Sequence, residues 1–460
     1  MSFRPWSRWK FERSQAGALS QEVCRLCADV RVHRIFEWFS RNEREIAEFQ
    51  LAITSIPAPS FAEQARAAWL RERLQPLGLD TSSDALGNLL AARSGLHSDS
   101  QSDLHSVAIS AHLDTVFPAA TPLNVHREQS RLLGPGISDN GSGLSALWAL
   151  AAAFHAAGID TVLPLLFVAN VGEEGEGNLC GMRHLYREHF PAPALDPAPA
   201  VDSDPRPSII ALIVLDGAGT DNIISQALGS RRFEIAISGP GGHSWSDYGT
   251  PNPIVAAALI VDILSRISLP ANPRTTLNIG TIEGGTSINT IPERAVLKVD
   301  FRSSDPRRLD ELEQQLRRAV PDACAATDAR SSNSVARLSH SITKVGERPA
   351  GELSGASALL AAIRAVDAQL GINSQLLRAS TDANIPLSLG LEAITVGAGG
   401  TSAGAHTVHE WYDPAGREQA LKRLALLILL LAGLPPAPES DAAHHSYAAP
   451  APAPDPEESD

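Results

Sequence analysis

Five short stretches hold the residues that could do chemistry together: SAHLDTVFP with His112 and Asp114, GPGISDNGSG with Asp139, NVGEEGEGN with Glu173 and Glu174, VLDG with Asp216, and AHTVHE with His406. His112 and Asp114 stand two apart, so an extended chain turns both to one face. A carboxylate placed there can take the ring N–H of a metal-ligating histidine and set its tautomer. Taken singly, each stretch has a plainer reading. A surface histidine beside an aspartate needs no ion, Asp139 suits a glycine-rich turn or a helix N-cap, and Asp216 could close a turn. His409, three residues after His406, offers a second imidazole in the same loop.

The set reads differently from its members. Two imidazoles and three carboxylates, with one glutamate left over, suit two divalent ions of the zinc type, with cobalt or manganese as alternatives. Two such ions about 3.5–4 Å apart can hold a bridging hydroxide and polarise a carbonyl. Hydrolysis also needs a base that is not a ligand, to take the water's proton and return it to a leaving nitrogen. Adjacent side chains of an extended chain point opposite ways, so Glu173 and Glu174 divide these roles, and spacing leaves open which takes which. Glu176 reads as a solvated loop residue.

Such residues must be held by strand ends. VAIS (107–110), VLPLLFVAN (162–170) and IIALIVLD (209–216) are continuous apolar runs, the pattern of strands buried on both faces. GSGLSALWALAAAFHAAG (141–158) between the first two reads as a helix. This alternation predicts an α/β fold, a mostly parallel sheet with helices on both faces, and open α/β sheets place their sites at strand ends. Near residue 231 the pattern changes to strand FEIAISG, helix PNPIVAAALIVDILSRI, strands TTLNIGTIEGG and RAVLKVDFRS, helix DPRRLDELEQQLRRAV and strand NSVARLSHSITKV. That β-α-β-β-α-β order predicts an inserted α+β ferredoxin-like domain. The expected division is an N-terminal helical extension (1–44), the first part of the α/β domain (45–230), the insert (231–348), the second part (349–434) and a disordered acidic Pro/Ala tail (435–460). SGLHSDSQSDLHS (94–106) and PAPALDPAPAVDSDPRPS (191–208) read as surface loops.

In this order the five stretches resemble those of the dizinc metallopeptidase family of peptidase T, acetylornithine deacetylase, succinyl-diaminopimelate desuccinylase, aminoacylase and related carboxypeptidases, over about residues 45–432. The resemblance implies a zinc-exopeptidase-like catalytic domain carrying a lid. It implies His112, Asp139, Glu174, Asp216 and His406 as metal ligands, with Asp139 between the ions, Asp114 orienting His112, and Glu173 as the base. The family often has a cis peptide after the bridging aspartate, here Asp139–Asn140. GPGGHSWSDYGTPNPIVAA in the insert is similar to a family stretch whose histidine, here His243, stabilises developing charge on the substrate, in many members within the neighbouring subunit's site. Asn289 and Arg302 fall where relatives bind substrate, although Arg302 could equally serve as a salt bridge on a strand. STDAN (380–384) resembles a family loop near the site. His409 stands where relatives carry a small or amide residue.

Composition narrows the partners. A net charge of −14 over 460 residues argues against nucleic acid or anionic membrane as partner, since both need basic surface. Four cysteines make no disulfide framework in a chain this long, and Cys24 and Cys27 read as ordinary thiols on a helix. No apolar h-region follows the charged N-terminus, and the strongest apolar run, Leu424 to Leu434, is too short to span a bilayer. The expectation is a cytoplasmic metallohydrolase, homodimeric through the insert, cleaving an amide bond in short peptides as a tripeptidase or aminopeptidase would. The peptidase T-like branch is favoured by the resemblance, and the alternatives are an N-acyl-amino-acid deacylase or a carboxypeptidase.

Overall fold

The computed structural model describes residues 16–96, 105–190, 208–332 and 335–436. The acidic tail after residue 436 and most of both polar loops, 97–104 and 191–207, lie outside the described residues.

The longest apolar runs lie side by side. Strands Leu165–Asn170, His105–His112, Ser208–Leu215 and Ala393–Val396 are neighbours in that order, and all are parallel. Every residue of Leu165–Asn170 is buried, as required of a strand covered on both faces. At its margins the nine-stranded sheet adds antiparallel strands, the hairpin Asp80–Ser83 and Leu89–Arg93 on one side and Asn222–Ala227 with Gly351–Glu352 on the other, and the ninth strand, Gln375–Ala379, pairs parallel with Asn222–Ala227. The sheet is therefore mixed, parallel at its centre, where burial on both faces selects continuous apolar runs. Helices Gly141–Ala156, Ala358–Leu370 and Arg417–Ala432 pack against it. Leu424 to Leu431 are all buried in the last of these. Among the described residues no helix is long and apolar enough to cross a membrane.

The N-terminal helices Ala16–Ala28, Val30–Arg41 and Glu43–Thr54 place Leu19, Val23, Leu26, Ile35 and Phe39 in the same core as the central sheet. Residues 16–44 thus share the α/β core. Cys24 and Cys27 sit on the first of these helices as free thiols.

Residues 229–348 form a second core. Four antiparallel strands run in the order Thr275–Gly284, Arg294–Ser303, Gly229–Ser238, Ser339–Arg348. Their alternate residues Phe233, Ile235, Leu297 and Phe301 pack with Leu312 and Leu316 of helix Pro306–Ala329 and with Ile260 of helix Pro253–Ser265. The element order and pairing are those of a ferredoxin-like α+β unit. Its long helix runs nine residues beyond the expected end at Val320, through Pro321, because the apolar stripe continues in Ala323, Cys324 and Thr327. The last strand begins only at Ser339.

One buried arginine ties the N-terminal helices to the site. Arg66, 1% exposed, donates to the carbonyls of Ile56 and Leu113, at 2.6 and 2.7 Å. Leu113 follows His112 directly. Arg66→Leu leaves these buried acceptors without a donor and should lower the unfolding free energy by roughly 3 kcal/mol. A urea titration would show this as a lower midpoint with an unchanged slope.

Candidate metal centre

The chemistry-bearing residues gather at the carboxyl ends of the parallel strands. His112 closes strand His105–His112, Asp216 follows strand Ser208–Leu215, and Glu173 and Glu174 lie in the loop after strand Leu165–Asn170. Asp139 enters from the turn before helix Gly141–Ala156, whose N-cap is Asn140. The Asp139–Asn140 peptide is cis. Gly143 lets that helix approach the sheet: a Cβ there would stand 2.7 Å from the Leu215 carbonyl oxygen. Gly172, at φ +62, turns the chain into the glutamate pair, a conformation that costs little only for glycine.

Asp139 is the meeting point. Its Oδ1 lies 3.1 Å from His112 Nε2 and its Oδ2 lies 3.0 Å from His406 Nε2. His112 Nε2 also faces Asp216 Oδ1 at 3.8 Å, and His406 Nε2 faces Glu174 Oε1 at 3.1 Å. Two donor groups result, His112–Asp139–Asp216 and Asp139–Glu174–His406, each compact enough to hold an ion and sharing one carboxylate. His406 has φ +65, rare outside glycine, and its two carboxylate partners hold it there. His409 points its chemistry elsewhere: it is exposed and belongs to neither donor group.

The electrostatics favour added positive charge. Hydrogen bonds to Asp139 and Glu174 push His406 up to about 10. Burial opposes a charge on His112, yet hydrogen bonds to Asp114, Asp139 and Asp216 raise it well above the usual histidine range. Burial alone would raise Asp139, but the two imidazoles hold it below the ordinary carboxylate range. Burial pushes the nearby Asp382 up to about 7, and its Oδ1 has no hydrogen-bond partner among the described residues. So many buried carboxylates around two histidines fit a pair of divalent cations.

The glutamates part company here. Glu174 joins His406 and Asp139, whereas Glu173 Oε1 accepts from Arg348 Nη1 at 2.8 Å. Glu173 also forms a third compact donor group at this centre, with His112 and Glu174. Burial drives its carboxyl well above the usual range despite Arg348. Asp114 supports both partners. It lies beside His112 Nδ1 at 3.5 Å, and its carboxylate accepts from the amides of Glu173 and Glu174, both at 2.9 Å, and from Ser60 Oγ at 2.6 Å.

Two residues in this arrangement have no role in the sequence reading. Arg348 ends the last strand of the insert, and a lone arginine before a proline carries no signal of its own. Glu410 lies inside the AHTVHE stretch itself. Fully buried, its carboxylate accepts from the amides of Gly136, Ser138 and Asp139 at 2.9, 2.7 and 2.9 Å. Burial pushes it up to about 7.

A cavity of about 350 Å³ opens over the centre, lined by Asp139, Glu173, Glu174, Asp216 and His406 together with Arg232, Arg302 and Arg348. Arg302 both lines this cavity and donates to Asp300 at 2.7 Å, so the two readings of it coexist. His243 and Asn289 are not in it. They lie together on the insert, both exposed, on the paired strands Gly242–His243 and Thr290–Ile291 and the turn beside them. His243 Nδ1 accepts from the Trp245 amide at 3.2 Å, which leaves Nε2 outward.

The profile of the peptidase family M20/M25/M40 matches residues 108–431. A protein named as a probable carboxypeptidase in Aspergillus clavatus is 29% identical over 308 residues, 61% of this chain and 63% of that one. Its counterpart in Neosartorya fischeri is 29% identical over 317 residues, 62% of this chain and 68% of that one. The chain thus matches about two thirds of the length of these relatives. Among solved structures, aminopeptidase PepT from Bacillus cereus superposes with TM-score 0.65 at 16% identity, covering 85% of this chain and 99% of that one. The Bacillus subtilis YXEP protein, described as a dinuclear metal-binding peptidase of family M20, superposes with TM-score 0.58 at 16% identity, covering 86% and 99%. The chain has the fold of these peptidases and belongs to peptidase family M20/M25/M40.

Glu410→Gln replaces one acceptor oxygen with an amide that cannot take those N–H groups, loosening the Asp139 turn while leaving every side chain of the donor groups in place. Its zinc affinity, read by competition with a chromophoric chelator, should fall about 10–100-fold.

Proposed function

We propose that the protein is a metal-dependent exopeptidase that hydrolyses an amide bond in short peptides. The observation that carries this reading is one carboxylate, Asp139, set between two imidazoles that each have a further carboxylate partner. His112, Asp139, Glu174, Asp216 and His406 would hold two divalent ions, zinc in the first instance. Bound there, the ions would polarise the scissile carbonyl and acidify the attacking water.

Glu173 is the chain's own proton carrier. Its carboxylate faces the cavity from outside the two donor groups that share Asp139, and it takes the water's proton and returns it to the leaving nitrogen. Arg348 holds it through Oε1 and through its backbone carbonyl. Asp114 positions His112 and the amides of both glutamates. His243, with Asn289, serves the site of a second copy of this chain, where an outward Nε2–H would stabilise developing charge. Trp245 and Tyr248 beside it are 86% and 87% exposed, an apolar surface that suits a homodimer through the insert.

A tripeptidase- or aminopeptidase-like specificity is in keeping with the fold neighbour named as aminopeptidase PepT. The arginines favour a second reading within the same chemistry. Arg232 and Arg302 line the cavity beside the metal ligands, and a guanidinium suits a carboxylate, as in a carboxypeptidase or an N-acyl-amino-acid deacylase.

Glu173→Gln should abolish turnover while metal content by elemental analysis stays at the wild-type level. Mixed with inactive His243→Ala protomers under subunit exchange, it should regain part of the activity, because each hybrid carries one intact site. No recovery after proven exchange would place His243 outside the partner's site. Loss of metal from Glu173→Gln would make it a ligand.

Specificity is read from a panel of di- and tripeptides, their C-terminal amides and N-acyl amino acids on zinc-loaded protein. If the cavity arginines bind a terminal carboxylate, Arg302→Leu should raise KM for free-acid substrates by roughly 10–100-fold and leave the amides unaffected. Equal cleavage of acids and amides by the wild type would leave the aminopeptidase-like reading standing alone.

A further inference from the structure

A second cluster of metal-ligating groups lies away from this centre, where the sheet's edge hairpin meets the helix that follows the glutamate loop. Asp84 occupies the turn between strands Asp80–Ser83 and Leu89–Arg93. Its side chain is wholly buried, and Oδ1 accepts from the amides of Leu86, Gly87 and Asn88 at 2.9, 2.9 and 3.0 Å. Oδ2 accepts from Asn88 Nδ2 and turns its other side toward two histidines. Within 4.0 Å among the described residues, no lysine or arginine pairs with this carboxylate; only His184 and His189 do.

The distances are informative. His184 Nε2 stands 3.8 Å and His189 Nε2 3.9 Å from Asp84 Oδ2, too far for either to be a hydrogen bond. Around a tetrahedral zinc ion with bonds of about 2.0–2.1 Å, neighbouring ligand atoms stand about 3.4 Å apart. The observed spacings exceed this by a few tenths of an ångström, and one ligand atom from each of the three residues lies within 4.8 Å of the others.

Local backbone makes the pairing of the histidines. Residues five apart on an α-helix of 3.6 residues per turn lie well over a quarter-turn from each other. Here the helix Cys180–His184 passes into a π-turn, Leu185–His189, closed by the Phe190 amide on the Leu185 carbonyl at 2.8 Å. The wider turn brings His189 round beside His184, ring centroids 5.7 Å apart. Single π-turns inside helices recur at functional sites.

We propose that Asp84, His184 and His189 form a third metal site, separate from the Asp139 centre, for a divalent first-row transition ion with zinc as the reference case. A carboxylate with two imidazoles is a donor set for zinc, nickel or copper rather than calcium or magnesium. His184 is 12% and His189 38% exposed at the side chain, which leaves a fourth position open to water. His184 Nδ1 lies 3.5 Å from the exposed Arg187, longer than a normal hydrogen bond, while Arg187 Nε is already engaged by Glu188 at 2.7 Å. Metal on Nε2 leaves the ring proton on Nδ1, and the exposed Arg187, itself a donor, would turn away from it.

The site would fasten the edge hairpin to the helix that follows the glutamate loop. Asn88, bonded to Asp84, accepts from the Val171 amide at 2.9 Å and donates to the Gly181 carbonyl at 3.1 Å. An ion joining Asp84 to His184 and His189 would tie the hairpin turn that carries Asn88 to the helix after the glutamates.

The test uses untagged, full-length protein stripped with chelator and dialysed against buffered excess zinc, with zinc per chain read by elemental analysis. The wild type should bind one equivalent more than the His184→Ala/His189→Ala double variant, with kcat in the two proteins within about twofold. Because the readout is a difference between two proteins, it is independent of how far the Asp139 centre fills. Should the double variant fail to fold, His189→Gln at the more exposed position carries the test, and its affinity for that one equivalent should fall at least about tenfold. Equal zinc content and equal affinity in wild type and variants would overturn the proposal.

Discussion

Everything in this molecule that resembles a reactive centre is arranged around one shared carboxylate. Asp139 presents an oxygen to each of two histidines brought from opposite ends of the chain, His112 and His406. A single carboxylate can do this only if its backbone is held from behind, and Glu410 does so through three amides of the Gly136–Asp139 turn. The glycines there let the turn wrap the Glu410 carboxylate closely. The strength of that hold comes from burial, since charge-assisted hydrogen bonds gain when water is excluded.

The second dependency runs between the two cores. Arg348 ends the last strand of the insert, yet it lines the cavity over the Asp139 centre and holds both the side chain and the backbone carbonyl of Glu173. Just before it, Glu347 pairs with Arg231 at the start of the insert's first strand. The insert therefore contributes directly to the setting of the residue proposed as proton carrier. Arg232 and Arg302 extend the same basic lining from the insert's sheet.

Much of this was legible in the chain. The continuous apolar runs 107–110, 162–170 and 209–216 marked the buried parallel strands, because burial on both faces removes the usual alternation. The order of elements from 229 to 348 was readable because its strands and helices change period cleanly. Arg348 and Glu410 were not readable as supports, since what they do depends on which amide or carboxylate meets them across more than a hundred residues. The N-terminal helices could be recognised by their spacing, but that they complete the α/β core could not, as amphipathic spacing does not name the surface a helix covers.

The sequence by itself determined the donor types and their placement at strand ends and glycine turns, because local periodicity and turn chemistry are properties of neighbouring residues. It also carried the likeness that set Glu174 among the ligands and Glu173 apart. That likeness also named Asp139 and His406; only the tertiary structure supplied the distances that set Asp139 against both imidazoles, and it leaves His409 out of the donor groups and His243 and Asn289 outside the cavity of their own chain. Those are distances between residues remote in sequence, and they follow from packing two cores together, which no short stretch specifies.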